Sequence, residues 1–349
     1  MLFQFASLEQ QLAKRAKNLF LACLEKRGRT LIAADEISQG CVIHTELPMV
    51  ATPPPDAYSL ARTCATCLAP LRRSQDDAGY HNSQSKDWRF CSPSCYKTAS
   101  NEWLDVAEGC NFSELLQVCS DGGLKFPLMA ARLACMKIQL FGNEEYASKF
   151  RNDEELPERG NPLTEFDRLC YANVDRIPEE WSLLYRLINK ALQSYAITPA
   201  GNSITLSWFA QIMSRLHLNA FRVDTVSFPD DITDRSSFLL RAAASSVSEG
   251  GVENEFMAQR PGSAVYLLGS MFNHSCEPNV DVTFPSNNSK AVFKAARGIK
   301  RNEELTISYV DHTMNVDARR RALNFGYGFG CQCPKCTSES DGIAELPIE

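Results

Sequence analysis

Half of the chain's fourteen cysteines fall into tight groups: Cys64 and Cys67, Cys91 and Cys95, and Cys331, Cys333 and Cys336. Thiolates at such spacings hold zinc, which takes four ligands in a tetrahedron. The first two pairs, C-x2-C-x23-C-x3-C, make one complete set of four. The last three thiolates need a fourth from elsewhere. Two other stretches carry side chains that can do chemistry. Gly269–Asp281 packs Asn273, His274, Cys276 and Asn279 together directly after the apolar run Ala264–Leu268. Glu304–Tyr309 is a strand-like run ending on a phenol. With a pKa near 10, a phenol is a poor base at neutral pH but can hydrogen-bond an amine.

Taken in order, Asn273-His274-Ser275-Cys276, Glu304-Leu305-x-x-x-Tyr309 and Cys331-x-Cys333-x-x-Cys336 resemble the signature of SET-domain protein lysine methyltransferases. With the earlier cysteine pairs the chain resembles the SET-and-MYND type, here without the helical C-terminal domain many members carry. The resemblance implies an α+β fold: small SET-domain sheets with pseudoknot-like threading, interrupted by a zinc finger and a helical insert, with a post-SET zinc site. It implies S-adenosylmethionine as cofactor, a histone or other lysine-bearing protein as substrate, and two structural zinc ions. One zinc takes Cys64, Cys67, Cys91 and Cys95; the other takes Cys331, Cys333 and Cys336, with Cys276 as the fourth ligand.

The same resemblance assigns roles at the site. Asn273 and His274 meet the cofactor, and Tyr327 flanks its adenine. Arg29 of Gly28-Arg29-Thr30, Asn219 of Asn219-Ala220-Phe221, Tyr309 and Phe329 complete its contacts. Tyr309, Phe329 and Tyr266 form the catalytic channel for the lysine. From the residues alone, Asn219 reads equally well as a helix C-cap, and residues 28–44 as a hairpin with no ligand role. The chain departs from the family pattern in two places. Thr30 stands where the second glycine of GxG belongs, and the finger lacks an inner CxxC and a closing HxxxC, with only His81 in its loop. These departures keep a rival open: a catalytically inactive zinc adaptor that mediates protein–protein contacts on the same scaffold.

Composition narrows the alternatives. A net charge of −6 over 349 residues argues against direct nucleic-acid binding. No secretory leader is visible, and no apolar run of about 18 residues suggests a membrane span. Clustered cysteines without a secretory signal favour zinc over disulfides. Cys23, Cys41, Cys110, Cys119, Cys135 and Cys170 read as small buried hydrophobes. A monomer of the nucleus or cytoplasm is expected. The basic amphipathic N-terminus leaves organelle targeting open.

The positioning elements follow. Residues 1–27 are predicted as a helix, and 28–58 as the first part of the SET domain, with two strands around a turn at Gly40. The finger spans 59–98 and a mostly helical insert 99–204, in which Leu124–Phe150 is long and amphipathic, broken near Phe141-Gly142, and Pro178–Trp181 starts another helix. Residues 205–325 form the SET core, with Thr205–Val223 helical, a surface insertion at 224–262, strands at 280–284 and 291–295, and a last helix from Val316. The arginines at 319–321 on that helix read as a solvated face. Residues 326–338 form the post-SET segment, and 339–349 a disordered acidic tail.

Overall fold

The computed structural model describes residues 15–25, 27–71, 88–142, 161–226 and 261–341. Residues 227–260 of the insertion expected at 224–262, residues 143–150 of the Leu124–Phe150 stretch, the finger loop with His81 and the final residues 342–349 lie outside them, as do residues 1–14.

Three small sheets carry the fold among the described residues. The first has the order β1-β2-β10-β7, built from β1 (Leu19–Leu24), β2 (Gly28–Ala33), β7 (Asn273–His274) and β10 (Glu304–Ile307). The second runs β3-β9-β8, from β3 (Val42–Glu46), β8 (Val280–Thr283) and β9 (Ala291–Ala295). The third runs β4-β6-β5, from β4 (Val50–Thr52), β5 (Ala220–Val223) and β6 (Gly262–Val265).

The N-terminal helix is a correction for its last turns: Leu19–Leu24 is a strand, antiparallel to β2 in the register Leu19↔Ala33 to Leu24↔Gly28. Leu19 and Leu21 are buried while Phe20 is exposed, an alternation with period two that the helix-like spacing upstream obscured. The expected strands at 28–44 form, but not as a hairpin. β2 pairs with β1 and β10, and β3 pairs with β9, so the chain leaves one sheet at Ala33 and enters another at Val42.

Among the described residues, the helices of eight or more residues are α1 (Pro93–Glu102), α2 (Ser113–Gly122), α3 (Phe126–Gly142), α4 (Glu179–Ala191), α5 (Leu206–Asn219), α6 (Val316–Tyr327) and α7 (Pro334–Asp341). The helix expected over 205–223 stops at Asn219, because 220–223 pairs with β6. The acidic tail begins as helix α7 rather than as disordered chain, with Glu339 held by Arg319. α4 opens as expected, with Pro178 at its cap and Glu179 and Glu180 in its first turn.

α3 is apolar nearly all round and runs through the core, with Leu128, Met129, Leu133, Met136 and Leu140 buried. Arg132 lies in its middle. Its guanidinium donates to the carbonyls of Ala51 on β4 and Ala65 in the finger, and it stacks over Trp103 at 4.0 Å. One buried cation thus ties the finger to the third sheet. No described helix is long and apolar enough to cross a membrane.

Candidate active site and metal centres

The site forms where two distant stretches cross. β7 runs parallel to β10, pairing Asn273 with Thr306 and His274 with Ile307, and Ser275 continues by donating its N–H to the Ile307 carbonyl at 3.0 Å. Asn279 locks the crossing. Its amide donates to the Glu304 carbonyl (2.8 Å) and the Glu303 carboxylate (3.0 Å), and its Oδ1 accepts from the Thr306 N–H (2.8 Å). The chain of one segment is threaded against the other by a side chain whose three bonds are all made. Asn279 belonged to the motif stretch but carried no role in the sequence reading.

The crossing delivers His274 and Tyr309 together. His274 Nδ1 accepts the Tyr309 main-chain N–H at 3.0 Å, and Nε2 lies 3.2 Å from Cys276 Sγ. Burial, with Arg27 and Arg319 nearby, lowers the imidazole to about 4, so it is neutral. The Tyr309 hydroxyl donates to the Phe272 carbonyl at 2.6 Å. Burial raises the phenol above its usual range, so it stays protonated. Tyr327 packs 4.7 Å from Tyr309, and Phe329 sits 6.1 Å from His274 and 6.4 Å from Tyr327. Phe329 keeps 37% of its surface open.

A second set of bonds centres on Glu304. Its carboxylate accepts from Thr30 Oγ1 (2.7 Å) and Asn273 Nδ2 (3.0 Å), with Arg27 Nη1 at 3.3 Å. Arg27 also donates to the His274 carbonyl at 2.9 Å. Thr30 is fully buried, so its side chain turns inward to Glu304 and adds no bulk to the open side of β2. A cleft of about 480 Å³ opens beside this network, lined by Arg27, Ser275, Asn279, Glu304, Thr306 and Cys333 among others.

Three expected site residues are placed differently. Tyr266 is fully buried, its hydroxyl given to the Ser289 carbonyl at 2.6 Å and its ring against Phe221. It lines no open channel. Asn219 ends α5, and its amide donates to the carbonyls of Arg215 and Cys170, both at 2.8 Å. Arg29 donates to the Arg168 carbonyl and to Cys170 Sγ, both at 2.8 Å. These donors are spent on the chain rather than held out toward a ligand.

The cysteines gather into two sets whose sulfurs each lie within 4.8 Å of one another: Cys64, Cys67, Cys91 and Cys95, and Cys276, Cys331, Cys333 and Cys336. Tetrahedral Zn–S bonds of about 2.3 Å would place sulfurs roughly 3.8 Å apart. Cys67–Cys91, Cys91–Cys95, Cys276–Cys331 and Cys276–Cys336 lie at 3.4, 3.5, 3.9 and 3.4 Å, so both sets suit one zinc each. In the finger, Ser92 caps α1 by accepting from the Cys95 N–H at 3.2 Å, which fixes Cys95 in the first turn, and Trp88 and Phe90 form the expected apolar core.

At the second set the arginine run is a correction. Arg319 is 1% exposed, and it donates to Cys336 Sγ at 3.3 Å and to Glu339 at 2.8 Å. Arg320 donates to the carbonyls of Cys331 and Cys336. Four thiolates on one Zn²⁺ would leave two negative charges, and the buried Arg319 guanidinium offsets part of that charge while also pairing with Glu339. The run reads as polar surface in sequence; only the packing of α6 on the cysteine segment shows otherwise.

Comparison with known proteins agrees with this geometry. The SET domain family model matches residues 28–310. The chain is 30% identical over 316 residues to histone-lysine N-methyltransferase ATXR4 of Arabidopsis thaliana, covering 90% of this chain and 84% of that one. It is 25% identical over 375 residues to protein-lysine N-trimethyltransferase SMYD5 of Homo sapiens, covering 90% and 85%. A SET and MYND domain-containing protein of Dictyostelium discoideum is 23% identical over 340 residues, covering 96% and 88%. The threaded crossing that sets His274 beside Tyr309 is that of a SET domain, and the chain belongs to the SET-domain family.

Proposed function

We propose that the chain is an S-adenosylmethionine-dependent protein-lysine N-methyltransferase acting by in-line methyl transfer. The observation that carries this is the Tyr309 phenol, protonated and fixed on the Phe272 carbonyl at the centre of a partly open aromatic cluster. The lysine methyltransferase names of the relatives support the reading.

The residues present fit the cofactor. Tyr327 and Phe329 offer ring faces for an adenine, and a cleft opens beside the Asn273–His274 turn, where Arg27 and Glu304 are paired with each other. Bound S-adenosylmethionine supplies an electrophilic methyl on a sulfonium. The chain must then orient a neutral lysine amine in line with it. In water, fewer than about one lysine in a thousand is neutral at pH 7, and an apolar wall such as Phe329 with Tyr327 shifts that balance toward the amine. Tyr309 accepts a hydrogen bond from the amine through its hydroxyl oxygen while its own O–H keeps donating to the Phe272 carbonyl. It positions the nucleophile and does not act as a base. His274 holds the Tyr309 main chain, and Asn279 holds the strand that carries it.

The test is calorimetric titration of S-adenosylmethionine into zinc-loaded protein, followed by methyl transfer from labelled cofactor by wild type and Tyr309→Phe. Binding at about micromolar strength, with transfer lost in Tyr309→Phe at unchanged cofactor affinity, is expected. Full activity in Tyr309→Phe would remove the role given to the phenol. Absence of binding by the wild type would favour the inactive adaptor.

A further inference from the structure

Cys110 and Cys135 belong to neither metal set, and in sequence both read as small buried hydrophobes. The fold sets them against each other. The short helix Leu104–Glu108 packs on α3. Gln139 of α3 pins it there: its side-chain oxygen accepts the Val106 N–H at 3.3 Å, and its amide donates to the Ser100 carbonyl. Cys110 lies one turn past Val106 and donates its S–H to the Val106 carbonyl at 3.1 Å. Cys135 lies one turn before Gln139, on the same face of α3. The two thiols meet beside this tie and hydrogen-bond each other.

Their surroundings differ. Cys110 is half-buried, and Cys135 is 1% exposed beneath it. The contact lets the Cys135 S–H donate to the Cys110 sulfur. It holds Cys110 below the usual thiol range, while the same contact and then burial push Cys135 well above it. A thiol that ionises readily at the open position, with a second thiol behind it, is the order of an attacking and a resolving cysteine. The turn that presents Cys110 is packed: a Cβ on the neighbouring Gly109 would stand 2.6 Å from the Tyr195 hydroxyl. Cys119, by contrast, is fully buried and has the Leu128 main chain as its hydrogen-bonding neighbour.

We propose that Cys110 and Cys135 form an oxidisable dithiol, a modification site for hydroperoxides in which Cys110 attacks and Cys135 resolves. The Cys110 sulfur attacks one peroxide oxygen and the O–O bond breaks. The leaving oxygen departs as water with the thiol proton, and Cys110 becomes a sulfenic acid. The Cys135 sulfur then attacks the Cys110 sulfur, the S–O bond breaks, and the hydroxyl leaves as water with the Cys135 proton. Two thiols give up two electrons, and hydrogen peroxide is reduced to two waters. The product ties α3 to the chain leading out of the finger, since α1, which carries Cys95, runs on through Trp103 into Leu104–Glu108. Arg132, three residues before Cys135, already bridges the finger and β4, so the covalent link falls beside that buried cation. The proposal is independent of the methyl-transfer reading.

The test treats the zinc-loaded full chain with hydrogen peroxide and follows zinc release to a chromogenic chelator in parallel. Remaining thiols are blocked with iodoacetamide in denaturant. Digestion with trypsin and a glutamate-specific protease then isolates Gly109–Glu114 and Leu133–Lys137, each with one cysteine. Mass spectrometry is expected to find these two peptides joined, at peroxide doses that release no zinc, and separated again by dithiothreitol. In Cys135→Ser, dimedone labelling of Cys110 should rise about tenfold over wild type, because its sulfenic acid has no resolving thiol. In Cys110→Ser, Cys135 should stay reduced. Wild type in which both cysteines are still free thiols after zinc has been released would overturn the proposal, a result that needs no variant. A link from Cys110 to a cysteine of either metal set, or dimedone on Cys135 in Cys110→Ser, would overturn it as well.

Discussion

His274 accepts the main-chain N–H of Tyr309 on Nδ1, at 3.0 Å. A neutral imidazole that accepts on one nitrogen carries its proton on the other. His274 therefore points an N–H at Cys276 Sγ, 3.2 Å away. A thiolate bound to zinc is a strong acceptor for that N–H, and the metal fixes the tautomer. The Tyr309 backbone is then one imidazole away from the post-SET metal group.

Stripping zinc with a chelator should loosen that link. Exchange of the Tyr309 amide hydrogen is expected to speed up on metal removal, while amides of β6, which pairs only with β4 and β5, keep their protection. Equal protection of Tyr309 with and without metal would show that His274 holds its place without the thiolate.

Arg319 should tune the same metal group from behind. Replacing it with methionine keeps the packing volume and removes the buried charge that donates to Cys336. Zinc affinity of the second set is expected to fall by about 10–100-fold, read as faster transfer to a chromogenic chelator. The finger zinc serves as the internal control, since Arg319 bonds only within the C-terminal part of the chain. Parallel loss from both sets would point to global unfolding rather than to a charge effect.

The metal sets were legible because ligand chemistry forces cysteines close in sequence or onto a named motif, and Cys276, Cys331, Cys333 and Cys336 do meet. Tyr309 was legible for the same reason, as the end of a motif strand. What escaped were interactions whose acceptors are carbonyls. The irregular segment Asp167–Ala172 is held at Arg168, Cys170 and Ala172 by groups at 29, 219 and 214, and a carbonyl carries no residue identity to read. Arg319 escaped because burial of one member of a charged run is a property of helix packing. β1 escaped because Leu19–Leu24 continues a helical spacing and declares its period of two only opposite β2.

Thr30 puts the lost glycine to a direct test. Its hydroxyl donates to Glu304 at 2.7 Å and its side chain is buried. Thr30→Gly restores the family pattern but deletes that bond and frees the backbone. It should leave S-adenosylmethionine affinity within about twofold and cost about 1–2 kcal/mol of stability in denaturant unfolding. A large gain in affinity would mean that the threonine obstructs the cofactor, and would strengthen the adaptor reading of the natural chain.

His44 and Glu46 make opposed contributions to the pH dependence of stability. Glu46 accepts the N–H groups of Leu267, Leu268 and Gly269, the turn that leads into Asn273, and His44 Nε2 lies 3.9 Å from it. Burial pushes Glu46 up from 4.5 to about 7, against the three N–H donors and with Glu165 and Arg15 nearby. Burial, with Arg15, pulls His44 down from 6.5 to about 4. A raised carboxyl contributes stability below pH 4.5 that is lost as pH climbs through 7. A lowered imidazole contributes stability above pH 6.5 that is lost as pH falls through 4. Each shift of about 2.5 pH units corresponds to roughly 3 kcal/mol. Between about pH 4.5 and 6.5 the two slopes oppose and largely cancel in the wild type. Single variants should expose them. Relative to wild type, Glu46→Gln carries a constant penalty for setting an amide against N–H donors, and should gain up to about 3 kcal/mol as pH rises from 4.5 to 7. His44→Gln should gain in the other direction, as pH falls from 6.5 to 4. Chemical denaturation of the three proteins across this range decides it. Difference curves that stay flat would mean that neither group changes its proton affinity on folding, and that Glu46 holds the turn before Asn273 as an ordinary ionised carboxylate.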